Sequence, residues 1–197
     1  SKIKISTKIF PYQPYISNES LEKIFCNKIK CFENKLKITI SALYPSYRKG
    51  FDLIGEYLQK LHDLYPSKSH KEIEVNIITK DNSFFIEKSP HPKIKLKFHN
   101  ILNKHSFELL LAKSHVFLSF SRFDSGPYTL NICYYLHTMI LSFNVGVANE
   151  IAKKTKSVNI IDNFSTTTMA TQTLKIILYS KLNLKSILTY EKDLLWI

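Results

Sequence analysis

Glycine is scarce in this chain: four occur in 197 residues, where globular proteins average ~7%. Folds built on many left-handed turns or Gly-rich blades are therefore disfavoured, and Gly50, Gly55, Gly126 and Gly146 each become informative. Arginine is scarcer still. Of 28 cationic residues only Arg48 and Arg122 are arginine, and nucleic-acid readers lean on the bidentate guanidinium. No nucleic-acid partner is expected, despite a formal net charge of +12. The compact, flexible charge of lysine suits an anionic small ligand or an anionic membrane surface better. Cys26, Cys31 and Cys133 are odd in number and lack a C-x-x-C pair, which supports neither a disulfide framework nor a zinc site. A reducing cytoplasm is the simplest compartment. The seven histidines lack metal-ligand spacing and are expected at the surface or in packing. The first ten residues alternate Lys with Ile and present no apolar signal segment. The longest stretch without a formal charge, Ser125 to Asn149, is long enough to raise the question of a membrane span. Pro127, Asn131, His137, Asn144 and two glycines interrupt it, so it reads as a buried helix followed by a buried strand.

With 44% hydrophobic and 22% charged residues, the chain reads as one folded domain with something appended, at ~150 residues per domain. Residues 1–35 read as a lead-in that packs on the domain, extended as far as Ile16 and then helical over Ser20 to Ile29. Residues 36–197 form the domain proper. Its first strand is Leu36 to Ala42, turned at Tyr44-Pro45-Ser46. Phe51, Ile54, Leu58, Leu61 and Tyr65 then make a helical stripe ended by Pro66. Strands follow at Ile73 to Thr79, Ile94 to Phe98, His115 to Phe120, Met139 to Phe143 and Ser157 to Ile161. Helices fall at Ser106 to Ala112, Thr129 to Leu136, Asn149 to Lys154 and Thr167 to Ser180. Such alternation implies right-handed crossovers and an α/β, Rossmann-like, doubly wound parallel sheet with helices on both faces. Ligands bind such sheets outside the carboxyl ends of the strands.

Two stretches at those ends are particular. One is Arg48-Lys49-Gly50-Phe51-Asp52-Leu53-Ile54. The other runs from Val116 through Ser121-Arg122-Phe123-Asp124-Ser125-Gly126 to Asn131, and continues to Gly146 and Glu150. Together they resemble the C-terminal, nucleotide-sugar-binding domain of retaining GT-B glycosyltransferases of the family 4, group 1 type, whose order of elements residues 36 to 180 follow. The family's Lys-Gly pair is matched by Lys49-Gly50, but its Gly-Arg pair is not evident near Ser41-Ala42 or Leu43-Tyr44. Its two glutamates, with seven residues between them, look like Asp124 and Asn131 with only six between, so the loop is one residue short.

The resemblance implies catalytic roles for Lys49 and Asp124. It implies donor contacts from Arg48, Gly50, Arg122, Ser125, Gly126, Asn131, Gly146 and Glu150, with no metal and no cofactor beyond the nucleotide-sugar substrate. Read as chemistry, a lysine at a strand–helix junction beside helix N–H groups can stabilise a diphosphate leaving group. Asp124 can accept from sugar hydroxyls or simply turn the chain in Asp-Ser-Gly-Pro. Asn131 keeps two-way hydrogen bonding but loses the strength of a charged acceptor. Arg122 can pair with Asp124 or meet the donor phosphate. Glu150 is also favourable at a helix start on dipole grounds alone. Tyr128, Tyr134 and Tyr135 are expected in the core.

A GT-B enzyme has two Rossmann-like halves, and 197 residues hold one. The resemblance thus implies a hexosyltransferase-like donor half whose N-terminal acceptor domain is missing. It would serve sugar transfer with retention to a cell-surface glycan, lipid or protein, in the cytoplasm or peripheral at the inner membrane face. The alternative is a catalytically degenerate GT-B-like binding or assembly domain, favoured by the absent Gly-Arg, the short loop and Asn131.

Overall fold

A computed structural model describes residues 15–32, 34–66, 69–83, 91–124, 128–146, 148–155 and 157–178. The described elements are α1 (Asn18–Cys31), β1 (Lys35–Ser41), a 3-10 turn (Tyr47–Lys49), α2 (Phe51–Leu64), β2 (Glu72–Ile78), β3 (Ile94–His99), α3 (Lys104–Lys113), β4 (Val116–Ser119), α4 (Tyr128–Tyr135), β5 (Met139–Phe143), α5 (Ala148–Lys154), β6 (Val158–Ile161) and α6 (Thr166–Leu178).

Six strands form one sheet in the order β3-β2-β1-β4-β5-β6, and every neighbouring pair is parallel. Alternation sends side chains to opposite faces. Leu36, Ile38 and Ile40 of β1 and Ile73, Val75 and Ile77 of β2 join the apolar side of α2 and Met169, Ala170 and Leu174 of α6 in one core. Phe117 of β4 and Ile140 of β5 face the other way, against Leu111, Leu130, Cys133 and Ile151 of α3, α4 and α5. Helices on both faces are what the alternating sequence predicts.

The sheet order reverses direction between β1 and β4, because the chain winds outward from β1 to β3 and then returns to wind outward again through β6. Adjacent crossovers therefore leave in opposite directions at the β1–β4 boundary, opening a crevice at the carboxyl edge.

The described part of the lead-in is a 14-residue helix, longer than the expected span. Ser17 caps it by accepting from the Ser20 N–H. Ile16 is buried in the second core, with Leu21 and Ile24 packed against it. The Tyr15 N–H donates to the buried Glu108 carboxylate at 2.8 Å, tying the entry of α1 to α3. Residues 1–14 and 179–197 of the proposed divisions lie outside the described residues.

Candidate functional site

The 3-10 turn after β1 is shaped by local chemistry. Ser46 caps it through a side-chain bond from the Lys49 N–H, and Gly50 ends it at φ 66°. The same glycine opens α2. A Cβ at Gly50 would stand 2.0 Å from the Phe120 carbonyl oxygen, so both the left-handed backbone and the close approach of the β4 loop require glycine. That approach sets residues 46–50 against residues 120–124.

Across this junction the Lys49 ammonium meets the Asp124 carboxylate at 2.5 Å. The juxtaposition predicted by topology is therefore present, although 75 positions separate the two residues. They line a hollow of about 510 Å³ with Arg48, Ser41, Ser46, Ser119, Ser121 and Thr129, closed at its apolar side by Leu43, Phe117 and Leu130. Ser41 and Ser119 are the last residues of β1 and β4, which puts the hollow at the switch point. Two cations, one carboxylate and a ring of hydroxyls suit a phosphorylated, hydroxyl-rich ligand.

Not every sequence candidate reaches the hollow. Arg122 forks onto Asp52 at 2.8 and 2.7 Å, so its carboxylate partner is Asp52, while Asp124 pairs with Lys49. The Asp52 hydrogen bond raises the Arg122 pKa, and the same pair holds the Asp52 carboxyl below its ordinary range. Asn131 lies buried in α4, and its Oδ1 has no hydrogen-bond partner among the described residues. Gly146, at φ 53°, follows β5, and Glu150 sits in the first turn of α5. Both occupy the same sheet edge beyond the lining of the hollow. Ser125 and Gly126 lie outside the described residues.

Tyr128 corrects an expectation. It is 54% exposed and lines the hollow, because it is the first residue of α4 and the helix turns its apolar side, Leu130 and Cys133, inward. Tyr134 and Tyr135 are half-buried and meet edge to face. The lining serines and Tyr44 escape sequence reasoning. The available signal is positional: Ser41 and Ser119 end two parallel strands whose crossovers leave the switch point in opposite directions. Among the described residues no cluster of three or more His, Cys, Asp or Glu side chains could hold a metal ion. Among the same residues, no helix is long and apolar enough to cross a membrane.

No protein-family model matches the chain, and no curated protein matches its sequence. Solved structures do match. WaaG, a glycosyltransferase involved in lipopolysaccharide biosynthesis, superposes with a TM-score of 0.65 at 16% identity over 91% of this chain and 50% of its own. A trehalose-6-phosphate structure from E. coli, bound with UDP-2-fluoro glucose, gives 0.62 at 12% identity over 91% of this chain and 46% of its own. TarM gives 0.58 at 11% identity over 94% and 33%. The chain spans about half the length of the first two. With its parallel six-stranded sheet, it has the fold of a GT-B glycosyltransferase-like domain.

Proposed function

We propose that this chain is a donor-binding half of a retaining glycosyltransferase, taking a nucleotide-sugar whose diphosphate sits against Arg48 and Lys49. The observation that carries this reading is the hollow at the β1–β4 switch point, with its two cations, Asp124 and hydroxyl ring. The diphosphate replaces Asp124 as the partner of Lys49, and the released carboxylate accepts from sugar hydroxyls. Lysine charge and backbone dipoles then stabilise the departing nucleoside diphosphate without a metal. A second, N-terminal GT-B domain presents the acceptor, a cell-surface glycan, lipid or protein. The basic balance of +12 suits work in the cytoplasm, peripheral at an anionic inner leaflet.

A degenerate binding domain is the second reading. Asn131 stands where the resembling family has an acid, and it is buried away from the hollow. Fold alone does not license transfer. Calorimetry with UDP, GDP, ADP and their glucose conjugates tests the site. Saturable binding that weakens with salt is expected, and silence across the panel at millimolar ligand overturns the donor reading. Slow hydrolysis of a bound donor favours the transferase; binding without any hydrolysis favours the degenerate domain.

A further inference from the structure

The loops that build the hollow are joined by a second contact, whose residues Tyr47, Asp52 and Arg122 are not part of its lining. Arg122 Nη1 donates to the Tyr47 carbonyl at 2.9 Å, while the same nitrogen and Nη2 fork onto Asp52. The guanidinium carbon stands 3.9 Å from the centre of the Tyr47 ring. The Arg122 backbone N–H also donates to the Arg48 carbonyl at 2.9 Å. One residue thus holds two successive carbonyls of the turn that carries Arg48 and Lys49, and Asp52 holds that residue in turn.

We propose that Arg122 and Asp52 form a positioning brace that aims Arg48 and Lys49 at an anionic diphosphate, while Arg122 itself does not touch the ligand. This rests on the nucleotide-sugar reading. Arg122 is absent from the lining of the hollow although its neighbours Ser121 and Asp124 belong to it. Its side chain is 10% exposed against 55% for Asp52, so the guanidinium is committed to the turn and not held ready for solvent. Asp52 offsets its charge, which leaves anion attraction to Arg48 and Lys49. The planar fork matters here, because an ammonium cannot hold both carboxylate oxygens and a carbonyl in one plane.

The brace and a direct ligand contact predict opposite effects at Asp52. Titrating the full chain with inorganic pyrophosphate and with UDP, Arg122→Ala and Asp52→Asn are each expected to weaken binding about tenfold, and the double variant no further than either single one. Arg122→Lys is expected not to restore affinity. Amide hydrogen exchange over residues 46–50, measured without ligand, is expected to quicken in both single variants while the melting midpoint changes little, since a pair with one exposed partner adds little to global stability. Tighter pyrophosphate binding by Asp52→Asn would show Arg122 to be a ligand contact freed from its counter-ion, and overturns the brace. So does a lowered melting midpoint with wild-type affinity, or wild-type exchange in both variants. A wild-type chain that binds neither probe overturns the donor reading and the brace with it; a wild-type chain that binds, beside brace variants that bind equally well, overturns the brace alone.

Discussion

At the carboxyl edge of the sheet Lys49 and Asp124 meet on the wall of a hollow open to solvent, whereas at the amino edge Lys28 of α1 and His115, just before β4, are buried where the helix docks on the sheet. Lys28 Nζ donates to the carbonyls of Ser114 and His137 at 2.8 and 3.1 Å and lies 3.4 Å from the Thr138 hydroxyl. His115 Nδ1 accepts from the Lys37 N–H at 2.8 Å, and its Nε2–H donates to the Lys28 carbonyl at 2.9 Å. Burial pushes the Lys28 ammonium down to about 7 and the His115 imidazole down to about 3. One edge thus uses charge where a ligand can reach it, and the other consumes its polar groups in closing the bottom of the sheet. Cationic residues alone do not mark a site; their access and the shape around them do.

The widest expected contrast is in stability against pH. His115 must stay neutral, because a proton on Nδ1 would oppose the Lys37 N–H. Its folded pKa lies below its unfolded value, so the contribution is complete above about 6.5 and is lost as pH falls toward 3. Between pH 7 and pH 4 this amounts to about 3 kcal/mol. Urea unfolding at both values, in wild type and in His115→Gln, should show a smaller acid loss in the variant. Equal losses would dissolve the distinction between the two edges.

Lys49→Ala should do the reverse, lowering pyrophosphate and nucleotide affinity by about 1.5–3 kcal/mol, the range for a hydrogen bond to a charged group. Its effect on unfolding should stay below ~1 kcal/mol, because the pair is partly exposed. Calorimetry beside a denaturation curve reads both quantities. A large stability loss with unchanged affinity would make the carboxyl-edge pair structural like its amino-edge counterpart.

The smallest effect sharpens the comparison most. Asp124→Asn removes the internal anion that an incoming diphosphate must displace, so pyrophosphate should bind a few-fold more tightly, a gain of about 1 kcal/mol or less on the scale of partly exposed pairs. Preference for a nucleotide-sugar over its nucleoside diphosphate should fall in the same variant. Weaker pyrophosphate binding would mean that Asp124 orients Lys49 and does not compete for it.

The sequence reads differently in different places. β1, β2 and β5 are legible from apolar and β-branched runs, and α2 from its stripe and Pro66, because these signals act over a few residues. Asn103 caps α3 by accepting from the Ser106 N–H. The helix of the lead-in is harder to read: its stripe of Leu21, Ile24 and Phe25 is short, and Lys28 in the same helix looks like a surface residue. Only docking against the ends of β4 and β5 makes that lysine an internal one.

What the sequence by itself determined is the alternation of strands and helices, hence the parallel sheet, and the loops in which Lys49, Gly50 and Asp124 fall. Periodicity, capping and the handedness of crossovers suffice for that. The order of strands, the partner of Arg122 and the exposure of Tyr128 were decided by the tertiary structure. Arg122 lies two residues from Asp124 in sequence and 70 from Asp52, yet the Gly50–Phe120 approach brings Asp52 within reach of its fork. Local chemistry proposes partners for a charged side chain, and the packing of distant elements selects among them.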